Sequence, residues 1–417
     1  MSEPRPILVR KLEDFRLKAP RCKLYKSRIS ETKIPASENT MGTDSSRRNF
    51  LVAGLSLPVA GMATAQAPQA SPAWGSRPAS PAAAVRYRTL GRTWLKVSTV
   101  GYGCMITSDS SVISRAVDLG ITYFDTARGY QSGNNERMVG AALKGSRNKI
   151  VLSSKSEAKT ATQAAAELDT SLKELGTDHL DIWYMHSRDT VAAIPDELVT
   201  VWEKARQDGK ILHIGISTHK PNAIVDRVLE VGKFEVVLST YSFAVGTAND
   251  PAYKRLTEAG IGMVAMKVMA PAARARKPEG PLAALKWVLR DTRFATTVPS
   301  MTDMEQLEMN FRAMAEPFAA ADEKVLARID QDIRPLYCRM CHQCSGQCPK
   351  GVPVPETLRY LAYADFYGQF ALGREHFRAL PEESRAVRCG DCDSCAVRCP
   401  NGVHVAERLT RAQNLFA

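Results

Sequence analysis

Several features that would classify a chain quickly are missing here. No basic stripe is interleaved with aromatic residues, so no nucleic-acid partner is expected. The apolar run from Phe50 to Met62 is short and rich in Gly, Ser and Ala, so no membrane span is expected in the mature protein. The GxGxxG turn that opens a doubly wound sheet is broken in "GYGCMI" at 101–106. No flavin motif is evident, and no repeat of fine period. Cysteine is nearly absent outside two runs near the C-terminus, which leave only Cys22 and Cys104.

The net charge of +12 is uneven, with about half of it among the first 65 residues. There "SSRRNFLVAGLSLPVAGMATAQA" places Arg47 and Arg48 before the short apolar run, and Ala63-Thr64-Ala65 as a small-residue cleavage site. The stretch resembles a twin-arginine translocation signal. It implies a partner in the twin-arginine export machinery and a periplasmic or otherwise exported protein. Residues 1–65 are read as this leader, with Met41 as an alternative start. Residues 66–85, rich in Pro, Ala and Ser, are read as a linker.

From Ser98 onward β-rich runs alternate with helical ones. The strands read are 98–103, 122–127, 149–155, 180–186, 211–218, 235–242, 262–269 and 296–301. Between two of them, Ala164, Leu168, Leu172 and Leu175 recur at helical spacing and close on Gly176. Eight such pairs over 86–325 predict an α/β fold, a (β/α)8 TIM barrel. Its site lies where strands end in loops, which selects Asp125, Lys155, His186, Ser217 and Lys267.

Tyr130 follows closely after Asp125. A phenol loses its proton near pH 10, and a neighbouring ammonium such as Lys155 lowers that value. Asp125 holds the lysine charged, and His186 orients a carbonyl oxygen. Together they can protonate that oxygen as hydride reaches carbon. The segments "FDTARGY" (124–130), "GNNERMVGAAL" (133–143), "SSK" and "YMH" resemble those of the aldo-keto reductases, over about Tyr87 to Met314. The resemblance implies Tyr130 as general acid/base, Lys155 and Asp125 as its tuners and His186 as substrate guide. It also implies an NADP or NAD site built from Ser217, Thr218, Tyr241, Lys267, Ser300, Met301, Gln306 and Asn310. The chain departs from the family at Leu238, where a Gln is usual, and at Met266 and Lys267, where an aromatic is usual. At Ser300 and Gln306 the basic residues that hold a 2′-phosphate are missing, which leaves NAD and NADP both open.

"CRMCHQCSGQCP" (338–349) and "CGDCDSCAVRCP" (389–400) each form C-x2-C-x2-C-x3-C-P. This is the bacterial [4Fe–4S] pattern, in which the fourth Cys of each run serves the other cluster. Cys338, Cys341, Cys344 and Cys399 are assigned to one cluster, and Cys389, Cys392, Cys395 and Cys348 to the second. Zinc would take paired CxxC knuckles, and disulfides would suit an oxidising compartment; neither needs the doubled run. Leu358, Leu361, Tyr363 and Phe366 predict a helix in the spacer. Residues 326–417 therefore resemble a small, mainly α-helical ferredoxin-like domain, and the fusion resembles a known family arrangement.

The leading expectation is an exported oxidoreductase that reduces a carbonyl, or oxidises an alcohol, with nicotinamide and two clusters. A small-molecule substrate and a redox partner protein follow as partners. The alternative is an electron-transfer or redox-sensing protein whose barrel binds nucleotide with little turnover. A third reading is an inactive barrel that serves as a scaffold.

Overall fold

Eight parallel strands follow one another in chain order around a barrel, after a short hairpin of β1 (Tyr87–Thr89) and β2 (Lys96–Ser98). The coordinates are a computed structural model and describe residues 85–274 and 278–417. The expected leader at 1–65 and most of the linker expected at 66–85 lie outside the described residues, as does Cys22.

The barrel strands are β3 (Tyr102–Gly103), β4 (Tyr123–Asp125), β5 (Val151–Ser156), β6 (Leu180–Met185), β7 (Ile211–Thr218), β8 (Val236–Thr240), β9 (Gly262–Met266) and β10 (Phe294–Thr297). The expected (β/α)8 barrel is therefore present. Bridges from Val100 to Thr297 and from Gly103 to Ser300 join β3 to β10. Gly101 and Gly103 donate across this seam to the carbonyls of Thr297 and Pro299 at 2.8 and 2.9 Å. The seam demands glycine: a Cβ on Gly103 would lie 2.5 Å from the Val298 carbonyl oxygen. The glycines of "GYG" thus serve closure of the barrel.

The helices over the barrel are α1 (Ser110–Asp118), α2 (Asn134–Leu143), α3 (Ala161–Leu175), α4 (Asp196–Gln207), α5 (Pro221–Val231), α6 (Asp250–Glu258), α7 (Ala270–Arg274), α8 (Gly280–Leu289) and α9 (Met304–Ala313). Helix α3 matches its expected span. The Thr160 side chain accepts from the Gln163 amide at its start, and Gly176 ends it in the left-handed region.

Alternation along the strands sorts side chains into two layers. Tyr123, Val151, Ile182, Tyr184, Val236, Leu238 and Val264 fill the interior, with Leu90 and Val97 of the hairpin packed among them. Trp183, Met185, Ile214, Ile216 and Val237 face the helices. Two residues beyond Tyr123 the inward set reaches Asp125, and four beyond Val151 it reaches Lys155.

The chain continues into α10 (Ala320–Ile333), α11 (Val354–Asp365), α12 (Phe370–Arg378), α13 (Glu382–Ala386) and α14 (Val405–Phe416). The predicted spacer helix is α11. The expected boundary at 325/326 falls inside α10. That helix buries Leu326, Ile329 and Ile333 against Ala283 and Ala284 of α8 and against Tyr337, Ala362 and Phe366. Barrel and C-terminal module therefore share a core, and the described residues fall within one compact unit. Ion pairs reinforce the junction: Arg359 lies 2.6 Å from Asp189, and Lys220 pairs with Glu356. Among the described residues no helix is long and apolar enough to cross a membrane.

Candidate functional site

Asp125 ends β4 and Lys155 lies near the end of β5, both almost wholly buried. The Lys155 ammonium donates to Asp125 Oδ2 at 2.5 Å, to the Thr126 carbonyl at 2.7 Å and to the Tyr130 hydroxyl at 3.2 Å. The Tyr130 loop is fixed on both sides. Arg128 N–H donates to the Lys155 carbonyl, and the Gln131 amide donates to the Thr107 carbonyl at 2.8 Å. Gln131 and Ser132 adopt φ of 50° and 54°, a conformation uncommon outside glycine. Glu136, buried at the start of α2, pairs with Arg128 at 2.5 Å and braces the loop from behind.

His186 follows β6 and meets the Tyr130 ring edge-on, with centroids 5.9 Å apart. Its Nδ1 lies 3.1 Å from a Glu157 carboxylate oxygen. Burial, helped by the nearby Lys155 charge, pushes His186 well below its ordinary value, so the ring is neutral. Burial also draws Lys155 down, but Asp125 and Tyr130 outweigh it and hold the ammonium above its ordinary value. Burial raises the Tyr130 phenol, and Lys155 pulls the other way without overcoming it. The sequence argument, which had Lys155 lower this value, omitted the desolvation. The resulting phenol is protonated at neutral pH.

Of these groups, Asp125 and Tyr130 line a cavity of about 420 Å³, within the usual range of ligand pockets. Ser300, Thr302, Gln306 and Met309 line the same cavity. Of the residues expected around a nucleotide, Lys267, Ser300 and Gln306 line this cavity. Asn310 is buried beneath, with both amide atoms unpartnered. Met301 is buried and its carbonyl accepts from Tyr102 and Thr107. Ser217 Oγ accepts from the Ser187 amide at 2.8 Å. Thr218 donates to Asp189 at 3.0 Å. Tyr241 does not flank the cavity: its ring stacks on Phe294 at 4.3 Å and its hydroxyl donates to Asp291 at 2.7 Å. Three residues beyond inward-facing Leu238, it falls on the opposite side of the strand.

The roof escaped the sequence reading. Phe366, Tyr367 and Gln369, from the end of α11 and the turn after it, complete the cavity wall. Lys267 presses its ammonium on the rings of Tyr363 and Tyr367, 4.7 and 4.8 Å from their centroids. Tyr367 also shares a 3.0 Å hydroxyl contact with Tyr337, the residue before Cys338. A signal was available: Tyr360, Tyr363, Phe366, Tyr367 and Phe370 are more aromatics than one short helix can bury alone. Another missed group is Asp189, which accepts from Thr218 and the His219 amide and pairs with Arg359.

The cysteines gather around Val352, Val354, Leu358, Val397, Val403, Val405 and Leu409. Burial raises the Cys338 thiol to about 12, and Cys344, Cys341 and Cys399 add to that shift. Burial likewise raises Cys389, with Cys348, Cys392 and Cys395 as its thiol neighbours. Cys399 thus lies near the first run and Cys348 near the second. Among the described residues no cysteine forms a disulfide, and no three His, Cys, Asp or Glu side chains converge tightly enough for one metal ion. Thiols in apolar surroundings have the soft donor chemistry of an iron–sulfur cage. Asn401 donates to Cys341 Sγ at 3.3 Å, and the Met340 amide to Cys338 Sγ at 3.4 Å.

Comparison with known proteins divides along the same lines. Residues 107–281 match the model of the Aldo/keto reductase family, and residues 337–404 that of a 4Fe-4S dicluster domain. An uncharacterized oxidoreductase of Bacillus subtilis is 32% identical over 161 residues, 34% of this chain and 52% of its own length. The chain thus spans about half the length of that relative, and 57% of one from Glycine max that is 30% identical. The L-galactose dehydrogenase of Arabidopsis thaliana is 26% identical over 308 residues, 60% of this chain and 95% of its own. The L-glyceraldehyde 3-phosphate reductase of Escherichia coli K12 is 23% identical over 60% of this chain and 92% of its own. The structure of an aldo-keto reductase from Bacillus halodurans, in its holo form, superimposes with a TM-score of 0.52 at 25% identity, over 59% of this chain and 96% of that one. The chain is therefore similar to aldo-keto reductase oxidoreductases through its barrel and to 4Fe-4S dicluster proteins through its C-terminal module.

Proposed function

We propose that this protein is an exported oxidoreductase that reduces a carbonyl or oxidises an alcohol, with Tyr130 as general acid/base, and that it holds two [4Fe–4S] clusters. The observation that carries the reading is the Lys155 ammonium in contact with both the Asp125 carboxylate and the Tyr130 hydroxyl. A bound nicotinamide, NAD or NADP, supplies the hydride. Tyr130, protonated at neutral pH, gives its proton to the carbonyl oxygen. Lys155 stabilises the phenolate left behind, and Asp125 keeps the ammonium in place. Neutral His186 orients the carbonyl oxygen by hydrogen bonding. Phe366 and Tyr367 shield the reacting end from water.

For the cluster quartets, the first is Cys338, Cys341, Cys344 and Cys399, and the second Cys389, Cys392, Cys395 and Cys348. Clusters held there supply one-electron transfer to an external redox partner. Export by the twin-arginine route accords with a cofactor-loaded chain, and nucleotide is then bound before export and retained. Replacement of Tyr130 by Phe tests the reading: carbonyl reduction should be lost while the cluster spectra stay intact, and unchanged turnover refutes it.

A second reading is favoured by one set of contacts. Ser217 and Thr218, which the resemblance assigns to the nicotinamide amide, are engaged with Ser187 and Asp189, and Leu238 offers no polar group. This suits an electron-transfer or redox-sensing protein whose barrel binds nucleotide with little turnover. Retained nucleotide that no carbonyl oxidises would decide for it.

A further inference from the structure

The two cysteine runs sit in unlike surroundings. The first begins against the barrel. Tyr337, 1% exposed, precedes Cys338 and meets the Phe366 ring edge-on, with centroids 5.0 Å apart. Its hydroxyl reaches that of Tyr367 at 3.0 Å, and both Phe366 and Tyr367 line the cavity. Arg339, next after Cys338, donates to the carbonyl of Ala244, beyond the end of β8, at 2.9 Å and pairs with Asp330 of α10. Met340 and Cys344 are also buried. The second run faces solvent: Gly390, Asp391, Asp393, Ser394, Ala396 and Arg398 are all exposed. Its anchoring hydrogen bonds stay within the module, from the Cys389 amide to Gln413 of α14 and from the Arg398 amide to Gln347.

Such surroundings govern what a cluster can do. Electron transfer through protein falls off steeply with distance, so a partner protein draws electrons from the cluster nearest its contact face. Reduction adds negative charge, which burial among apolar groups disfavours and exposure to water favours. The Lys350 ammonium beside Cys392 favours it further at the second quartet.

We propose that the two quartets hold clusters with different tasks. The first, Cys338, Cys341, Cys344 and Cys399, holds an inboard cluster joined to the cavity wall through Tyr337 and Tyr367. The second, Cys389, Cys392, Cys395 and Cys348, holds an outboard cluster, and the surface around Asp391 and Asp393 is where a one-electron carrier protein docks. The inboard cluster has the lower potential. One electron leaves it, reduces the outboard cluster and passes on to the oxidised carrier; both clusters end oxidised, the carrier ends reduced, and no proton moves. The inference rests on the reading of two [4Fe–4S] clusters with crossed ligands.

Iron and sulfide analysis of the anaerobically purified protein comes first: fewer than two clusters overturns the underlying reading, and this inference with it. With two present, a redox titration of wild type is followed by EPR, with and without dysprosium–EDTA, a water-soluble paramagnetic chelate. The signal that appears at the higher potential should relax faster with the chelate, and the later signal should be nearly unaffected. Equal enhancement, or a protected signal that appears first, overturns the proposal. Tyr367→Phe, which removes one hydroxyl, should shift the protected signal alone; a shift in the other signal, or in neither, overturns the link to the cavity wall. For the docking face, the reduced protein, freed of excess dithionite, is mixed with cytochrome c, a basic one-electron carrier. Asp391→Lys with Asp393→Lys should slow its reduction on the order of 10-fold at low salt and leave both EPR signals in place. An unchanged rate overturns the docking assignment.

Discussion

The ammonium of Lys155 lies 2.5 Å from the carboxylate of Asp125, with side chains only 1% and 4% exposed. Neither charge can turn to water if the other is lost. Replacement of Lys155 by Met should therefore destabilise the fold by about 3–5 kcal/mol as well as stop turnover. Denaturant titration reads the first effect. Tyr130→Phe should lower the rate by about 10²–10⁴-fold at nearly unchanged stability, so the pair separates catalytic from structural loss.

Tyr130 should also give the two reaction directions opposite pH profiles. Its folded value is raised above the ordinary phenol near 10. Reduction needs the protonated phenol, so its rate should hold through neutral pH and fall only as pH rises through that raised value. Alcohol oxidation needs the phenolate and should climb with pH over the same window. His186, neutral throughout, should add no step near pH 6.5. Rate–pH curves measured in both directions check this, and a reduction limb that falls below pH 8 would contradict it.

Arg359 joins the module to the barrel through Asp189, itself held well below the carboxylate range. Burial works to raise it, and the neighbouring His219 and Arg359 outweigh that effect. Arg359→Leu strands a buried carboxylate, with an expected loss of about 3–5 kcal/mol. Because α11 also carries Tyr363, the variant should loosen the roof and raise KM more than it lowers kcat. Steady-state kinetics together with thermal melts distinguish this from a purely global effect.

Cluster loading should follow the crossed quartets. Cys399→Ser should remove the cluster bound by Cys338, Cys341 and Cys344, although it lies in the other run. Cys348→Ser should remove the other. Iron counts near half of wild type, with distinct EPR signals surviving in the two variants, are the expected result. Loss of the same signal in both would refute the crossing.

Local patterns made much of this legible in advance. The strand read at 180–186 put His186 at a strand end, and the helical spacing that closes on Gly176 marked α3. The doubled cysteine run announced the 4Fe-4S module. Tyr241 was misjudged for a reason also present in the sequence, since an odd offset from Leu238 reverses the side of the strand. The direction of the Tyr130 shift depended on burial, which no residue type encodes. The roof was hidden for a stronger reason. Asp189 and Arg359 are far apart in the chain, as are Lys267 and Tyr363, and nothing local announces such meetings.

The aromatic roof has a consequence for how such a chain can change over generations. Barrel and cluster module are matched by separate family models, as if each were a cassette that could be exchanged. Yet Phe366, Tyr367 and Gln369 wall the barrel's cavity, and Tyr337, beside a cysteine of the first run, touches Tyr367. A transplanted module would take one wall of the pocket with it. The shape of the pocket and the packing of the module are thus inherited together, and drift in one is constrained by the other.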